Sequence, residues 1–589
     1  MQFLDHVFVI GTCSVVCQQW HQISSKIPFH FNFKHKRRAL IPLILNSTLN
    51  YELNIIELNL NDMNLGDDFI EKLSSNYGMM TLKHLKILKI RKCCRENGVK
   101  WIATSSVMKN LTQLNISDCN VDSDMLSVVA TSSYMQNLTK LNISSNGFDD
   151  DGVISLSKSE YMSNLTSLNM NRCGFTEIGM ISLIHSPYIR NLRSLKYASD
   201  HSALSAETVE RMASSDQFKH LTKLSLCELL ENDSYSTIAN SETMKNLTSI
   251  TINQSILLEH AIQCFASSPF MSNLTEISAN DHIHENDNTS GGELAIAQSK
   301  YLKKLKRLHI YSRNDQVLKE LFTSENVKNL TELSGVMYLS INRYLTKLKY
   351  LRLVDFPDDA IESICQSENI STLIALELRS DRQNSSSSLI SIAKSPFLKN
   401  LQQLCLGFID YPNKGFEELC ASQNMKHLQV LEIGNLSTNA LECIRESPYL
   451  NQLRVLQLLA DGYWFYIYGN IQNCTVLANC SNMSNLTELD LSFNAIDDES
   501  AVAIANGSHL NNLRKLWLFE NAVGNEGFLA LLKSSCLRLD YLDLAYNSIK
   551  DDAVEDWNEL VPYATYMTLL KLEGNDITEE HLSLVCRWF

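Results

Sequence analysis

Apolar and polar positions recur in one phase along most of the chain. Four stretches can be laid under one another: LTQLNISDC at 111–119, LTKLNISSN at 138–146, LTSLNMNRC at 165–173 and LTELDLSFN at 486–494. All read L-x-x-L-x-L-x-x-N/C. Looser copies include IIELNLNDM at 55, LKYLRLVDF at 348, LRKLWLFEN at 513 and MTLLKLEGN at 567. The L-x-L core predicts a short strand with two apolar side chains on one face and the residue between them on the other. The Asn or Cys, as at Cys119, Asn146, Cys173, Asn494, Asn521 and Asn547, comes where the chain turns off the strand. A polar group buried there has to be paired, so these positions are read as structural.

The second half of each unit reads as helix. DDDGVISLSKSEYM at 149–162 and DDESAVAIANGSHL at 497–510 open with carboxylates, which a helix N-terminus favours. Pro187, Pro269, Pro396 and Pro448 follow such segments and stop the helix before the next strand. The second leucine position runs from Leu58 to Leu570 in roughly twenty units of about 27 residues each. The array is uneven. Leu333 and Leu351 are only 18 residues apart, which predicts an irregular joint near 334–350. Leu456 and Leu489 are 33 apart, which marks an insertion near 459–480.

This unit resembles the leucine-rich repeat, and the occasional Cys in place of Asn resembles the cysteine-containing or ribonuclease-inhibitor-like type found in F-box proteins. The resemblance implies an α/β solenoid over 53–589, horseshoe-shaped, with a parallel sheet on the concave face and helices on the convex face. Residues 15–23, VVCQQWHQI, resemble the later part of an F-box. Val16, Cys17, Trp20 and Ile23 would share one helix face by their spacing. In that family the motif docks on the Skp adaptor of cullin–RING (SCF-type) ubiquitin ligases, and the repeats behind it capture the substrate. The opening Leu-Pro of the motif and its first helix do not precede these residues, so the F-box match is partial. The other reading of 1–35 is a helical cap shielding the first repeat, with 36–52 as a linker.

Composition narrows the classes. The 589 residues carry 51 Lys+Arg and 66 Asp+Glu, a net charge of −15. A general nucleic-acid binder needs a basic face, so none is expected. No stretch is long and apolar enough for a spanning helix, so no membrane partner is expected either. The 16 cysteines show no CxxC, zinc or disulfide-cap spacing, which points to a reducing compartment and a cytoplasmic location. The triplet NLT recurs at Asn110, Asn137, Asn164, Asn246, Asn273, Asn329 and Asn485. It stands in repeat phase, so structure explains it without glycosylation.

Motifs for phosphate loops, nucleophile elbows, zinc proteases and calcium loops are absent from the sequence, and no enzyme activity, cofactor or metal is expected. His282, His284, Glu285 and Asp287 read as a polar surface loop, and Lys34 to Arg38 as a solvated basic run whose second reading is a nuclear signal. The end of the chain differs from the rest. Residues 486–589 hold 7 Lys+Arg and 18 Asp+Glu. Outward strand positions there carry Asp490, Phe493, Trp517, Phe519, Glu520, Asp543 and Tyr546, where early repeats carry Asn115, Asn142 and Asn169. The insertion adds Tyr463, Trp464 and Phe465. Exposed aromatics ringed by acid suit a target protein with a basic, partly apolar segment. The expected function is protein recognition, implied by the resemblance to be substrate selection for a ubiquitin ligase. An intracellular scaffold or signalling adaptor, and an extracellular receptor fragment, stay open as alternatives.

Overall fold

The computed structural model describes residues 28–32, 54–63, 65–75, 82–198, 204–227, 232–253, 258–280, 291–312, 314–336, 344–354, 356, 358–379, 386–408, 414–434, 438–459, 474–564, 567 and 569–586. They fall into two compact units, Met1–Lys304 and Leu305–Phe589. In each unit, every described strand pairs in parallel with the next one in sequence, and helices or 3-10 turns make the crossings. The leucine-rich-repeat solenoid is therefore the fold.

One unit shows how the residues dictate the path. Strand Lys140–Asn142 leads to helix Asp150–Ser157, a 3-10 turn over Glu160–Met162, and the next strand, Ser167–Asn171. Leu141 stands in register with Leu114 on one side and Leu168 on the other. A leucine column of the same kind runs in the second unit through Leu489, Leu516, Leu542 and Leu570. All of these leucines are buried against the helices. Each contributes on the order of 2 kcal/mol relative to an exposed side chain. Asp122, Asp149 and Asp497 cap the N-termini of their helices through side-chain oxygens, as the opening carboxylates predict. Asp150 and Asp498 reach further. Each accepts backbone N–H groups at the start of the next repeat's helix, from Thr176 and Gly179 and from Gly524 and Gly527.

The turns between elements are held by polar side chains that bond into the neighbouring repeat. Asn146 Oδ1 accepts from the N–H groups of Cys119 and Val121, and its Nδ2 donates to the carbonyls of Ile116 and Ile143. Asn521, Asn547 and Asn575 repeat that arrangement toward Ile496, Val523 and Ile549. Where Cys replaces Asn, the thiol of Cys119 bonds the Ile90 carbonyl and that of Cys173 the Ile143 carbonyl. The NLT asparagines form a second series. Asn110, Asn137, Asn164, Asn246 and Asn485 each donate to a backbone carbonyl of the preceding repeat at 2.7–2.9 Å. Their threonines do the same, as Thr139 does to Thr112. A serine after many of the helices closes the third series. Ser132 and Ser186 donate to the last helical turn of the repeat before and accept the N–H two residues on, and Ser268, Ser395 and Ser447 do likewise next to the prolines.

The turn off each strand also fixes a backbone shape. The residue before the Asn or Cys is left-handed at Asp118, Ser145, Arg172, Phe493, Glu520 and Tyr546, with φ between 48° and 61°, and Gly574 takes the same place at 74°. A side chain at such a φ costs about 1 kcal/mol or more, and the ladder bonds around it offset that.

Two features depart from the pattern. Phe29–Asn32 is a strand, paired in parallel with Ile55–Asn59 through His30↔Glu57, so the sheet begins within the segment expected to be helical and before the expected start at residue 53. FHFN has no L-x-x-L lead, which is why the repeat template passes over it. At the irregular joint, strands Glu332–Val336 and Tyr350–Val354 pair directly, Leu333 against Leu351, with no helix between them among the described residues. Residues 460–473 of the insertion lie outside the described residues.

Replacing Asn146 by Ala removes acceptor and donors from four backbone groups of two turns. It should cost about 2–4 kcal/mol in urea-induced unfolding. The exposed Asn110, with its one carbonyl bond, should cost about 1 kcal/mol or less when changed to Ala. Equal and small losses at both positions would contradict the ladder account.

Candidate functional site

The helices cover one face of each sheet, so chemistry open to a partner comes from the residue between the two apolar positions of each strand. Register sets these residues in a row. In the first unit the row passes through Asn115, Asn142 and Asn169. Each of these accepts the N–H two residues on, from Ser117, Ser144 and Asn171 respectively. In the second unit the row passes through Glu377, Cys405, Glu432, Gln457, Asp490, Trp517, Asp543 and Lys571. Where three successive early strands carry amides, these carry charges and a large ring.

Its first part is an ion-pair network. Arg379 donates from Nε to Glu377 at 3.0 Å and reaches past the Cys405 strand to Glu432, Nη1 to Oε1 2.8 Å. Arg352 stands 3.5 Å from Glu377, and the Tyr350 hydroxyl donates to the same carboxylate. Burial works to raise the Glu377 carboxyl, but the bonds from Tyr350 and Arg379 and the two guanidinium charges hold it below the usual glutamate range. Burial pushes the Cys405 thiol up to about 11, so it is neutral and a poor nucleophile. None of these residues stood out in the sequence, although arginine and glutamate at matching repeat positions were visible there.

The second part holds the acidic and aromatic residues expected from the sequence. Asp490, Trp517 and Asp543 are consecutive in the row. Phe493, Phe519, Glu520 and Tyr546 are not on strands. They lie in the turns that follow Glu488–Asp490, Lys515–Trp517 and Tyr541–Asp543. Phe493, Phe519 and Tyr546 form a line of rings, edge to face, with centroids 5.2 and 5.3 Å apart. Tyr546 is 53% exposed. Gly574 has to be glycine beneath it, because a Cβ there would come within 2.6 Å of the Tyr546 ring. Trp517 packs against Tyr541 at 4.9 Å between centroids, and Lys515, which pairs with Glu488, stands 5.9 Å from the indole centre.

The two aspartates differ. Asp543 is 3% exposed, bonded by the Tyr541 hydroxyl at 2.6 Å and paired with Lys571 at 2.8 Å. It is therefore a covered, neutralised group, and the expectation of an exposed docking acid is corrected at this position. The sequence reading overlooked that Lys571 stands next in its row. Asp490 is half-buried, and its Oδ1 accepts from the N–H and hydroxyl of Ser492 at 3.0 and 2.6 Å, the bonds that Asn115 and Asn142 make. Burial raises its carboxyl above the usual aspartate range, Ser492 partly offsets this, and the charges of Asp543 and Glu432 raise it further.

Val16, Cys17, Trp20, Ile23, Tyr463, Trp464 and Phe465 lie outside the described residues, as do His282, His284 and the basic run at 34–38. The described residues hold no group of three His, Cys, Asp or Glu placed to bind a metal ion, and none of their helices is long and apolar enough to cross a membrane.

An aspartate whose folded pKa lies above its unfolded one costs stability when ionised. The cost is present at neutral pH and is relieved as pH falls through the folded pKa. Asp490→Asn keeps an oxygen for Ser492 and removes the charge. It should raise the urea midpoint at neutral pH, and the gain should shrink as pH approaches the ordinary aspartate value of 3.8. A lower midpoint at neutral pH would contradict this reading.

A family model described as a leucine-rich repeat matches residues 134–157 and 482–505. Among solved structures, a crystal structure of an internalin from Listeria monocytogenes is similar at 16% identity and a TM-score of 0.29, over 70% of this chain and 88% of that one. No curated protein matches the chain in sequence. The repeat in the sequence, the parallel strands joined by helices, and a leucine-rich-repeat match within each unit agree on a fold of the leucine-rich-repeat type.

Proposed function

We propose that the chain is a protein-recognition module and that the strand face of the second unit binds the partner. The observation that carries this is the change along the row. Asn115, Asn142 and Asn169 spend their side chains on their own turns, whereas Trp517 and the rings of Phe493, Phe519 and Tyr546 add apolar surface next to Asp490. Aromatic surface rimmed by charge is the composition of binding hot spots. The partner class that fits is a protein with a basic, partly apolar segment. A finer role, substrate selection for an SCF-type ubiquitin ligase, is supported by the resemblance of residues 15–23 to part of an F-box, with Val16, Cys17, Trp20 and Ile23 as the adaptor-facing residues.

Two measurements separate these claims. Affinity capture with the full chain should retain proteins that a Trp517→Ala, Phe519→Ala variant loses. An unchanged set of captured proteins would remove the strand face from consideration. Mixing with a Skp-type adaptor should give a complex that Trp20→Ala weakens by at least about tenfold, or about 1.4 kcal/mol. No complex with the unmodified chain would end the ligase reading and leave the recognition reading standing.

A further inference from the structure

Four carboxylates stand in the outward row of the second unit: Glu377, Glu432, Asp490 and Asp543. Three are neutralised from within the chain, Glu377 by Arg352 and Arg379, Glu432 by Arg379, and Asp543 by Lys571. Asp490 is not. Its Oδ1 is engaged by Ser492, and its Oδ2 has no partner among the described residues. The nearest lysine in the ladder, Lys515, pairs with Glu488 on the adjoining strand. On either side Asp490 has the neutral Gln457 and Trp517, and two strands away on each side lies another acid, Glu432 or Asp543. A half-buried carboxylate in that position is disfavoured by its own burial and gains nothing for the fold that asparagine would not supply.

Resting on the reading of the strand face as the binding surface, we infer that Asp490 is the socket for one arginine side chain of the partner, with the Trp517 ring beside it and apolar partner residues on the Phe493, Phe519 and Tyr546 line. Charge complementarity calls for a cation, since one positive group from outside would complete the pattern that Arg379 and Lys571 complete for the other acids. Arginine fits better than lysine for two physical reasons. Its guanidinium is more weakly hydrated, so it loses less on entering a half-buried site. Its plane can lie along an indole while its N–H groups donate to the carboxylate. The rings supply the apolar contact that makes the segment around the arginine matter. Docking would also favour the ionised form of Asp490, so binding should weaken as pH falls.

The test uses a random peptide display library selected on the full chain and, in parallel, on Asp490→Asn. The variant preserves the Ser492 bonds, so a folding defect is not the expected reason for lost binding, and its unfolding midpoint checks this. On the unmodified chain, selected peptides should be enriched in arginine flanked by apolar residues, and the enrichment should vanish on the variant. In the best peptide, citrulline in place of that arginine should weaken binding at least about tenfold on the unmodified chain and leave it unchanged on Asp490→Asn, while lysine should fall between. The inference is overturned if no arginine is enriched, if the variant binds the arginine peptides equally, or if lysine and arginine are equivalent, which would mean diffuse attraction rather than a socket. Peptides that depend on Trp517 but not on Asp490 would overturn the socket and leave the strand-face reading intact. Peptides indifferent to Trp517→Ala and Phe519→Ala would overturn that reading itself.

Discussion

The described turns of this chain expose backbone N–H and C=O groups that neither their own strand nor their own helix satisfies, and the structure depends on the adjoining repeat supplying their partners. Buried polar groups left unpaired cost about as much as a core methyl or more, so an array of turns is stable only if each closes its neighbour. Three side-chain series do this: Asn or Cys past the strand, Asn and Thr before it, and Ser after the helix. Asn146, Thr139 and Ser132 each bond a backbone group in an adjoining repeat. The leucine column supplies most of the free energy. The polar series make the register unique, because a shift by one residue would strand all of these bonds at once.

That division of labour leaves the outward residue of each strand unburdened. In the early repeats the chain spends it conservatively, on an Asn that braces its own turn. In the second unit the same site carries aspartate, which braces the turn equally well and adds a charge. Asp490 and Asp543 thus share one structural role and differ in their surroundings. Lys571 and Tyr541 cover Asp543, whereas Asp490 stands beside an indole with its carboxyl raised by burial. A charge kept where a neutral side chain would hold the turn better is evidence of a requirement outside the fold.

The leucine column, the strand-to-helix order and the structural use of the NLT asparagines were legible because each recurs at one spacing, and periodicity survives the loss of any single residue. Other features have no such signal. The left-handed residue before each Asn or Cys is chemically diverse, Asp118, Ser145, Arg172, Phe493, Glu520 and Tyr546, because the turn imposes its φ whatever the side chain. The strand at Phe29–Asn32 lacks the leading leucine that identifies the others. The Arg379–Glu432 pair joins residues two repeats apart and out of phase by two positions, a distance only the flexible length of arginine spans. The acidic and aromatic surface was legible as composition. Which acids were already neutralised was not, because that depends on which cations of the same or nearby strands reach them.

The central claim is that side-chain bonds between repeats hold the turns as firmly as the ladder holds the strands, and native-state hydrogen exchange tests it most directly. The amides of Cys119, Val121, Ile496, Val523 and Ile549 lie off the strands but donate to Asn146, Asn521, Asn547 and Asn575 of the next repeat. They should exchange as slowly as the strand amides of Leu114 and Leu516 and through the same opening. Exchange at the rate of exposed loops, with only the strands protected, would contradict the account.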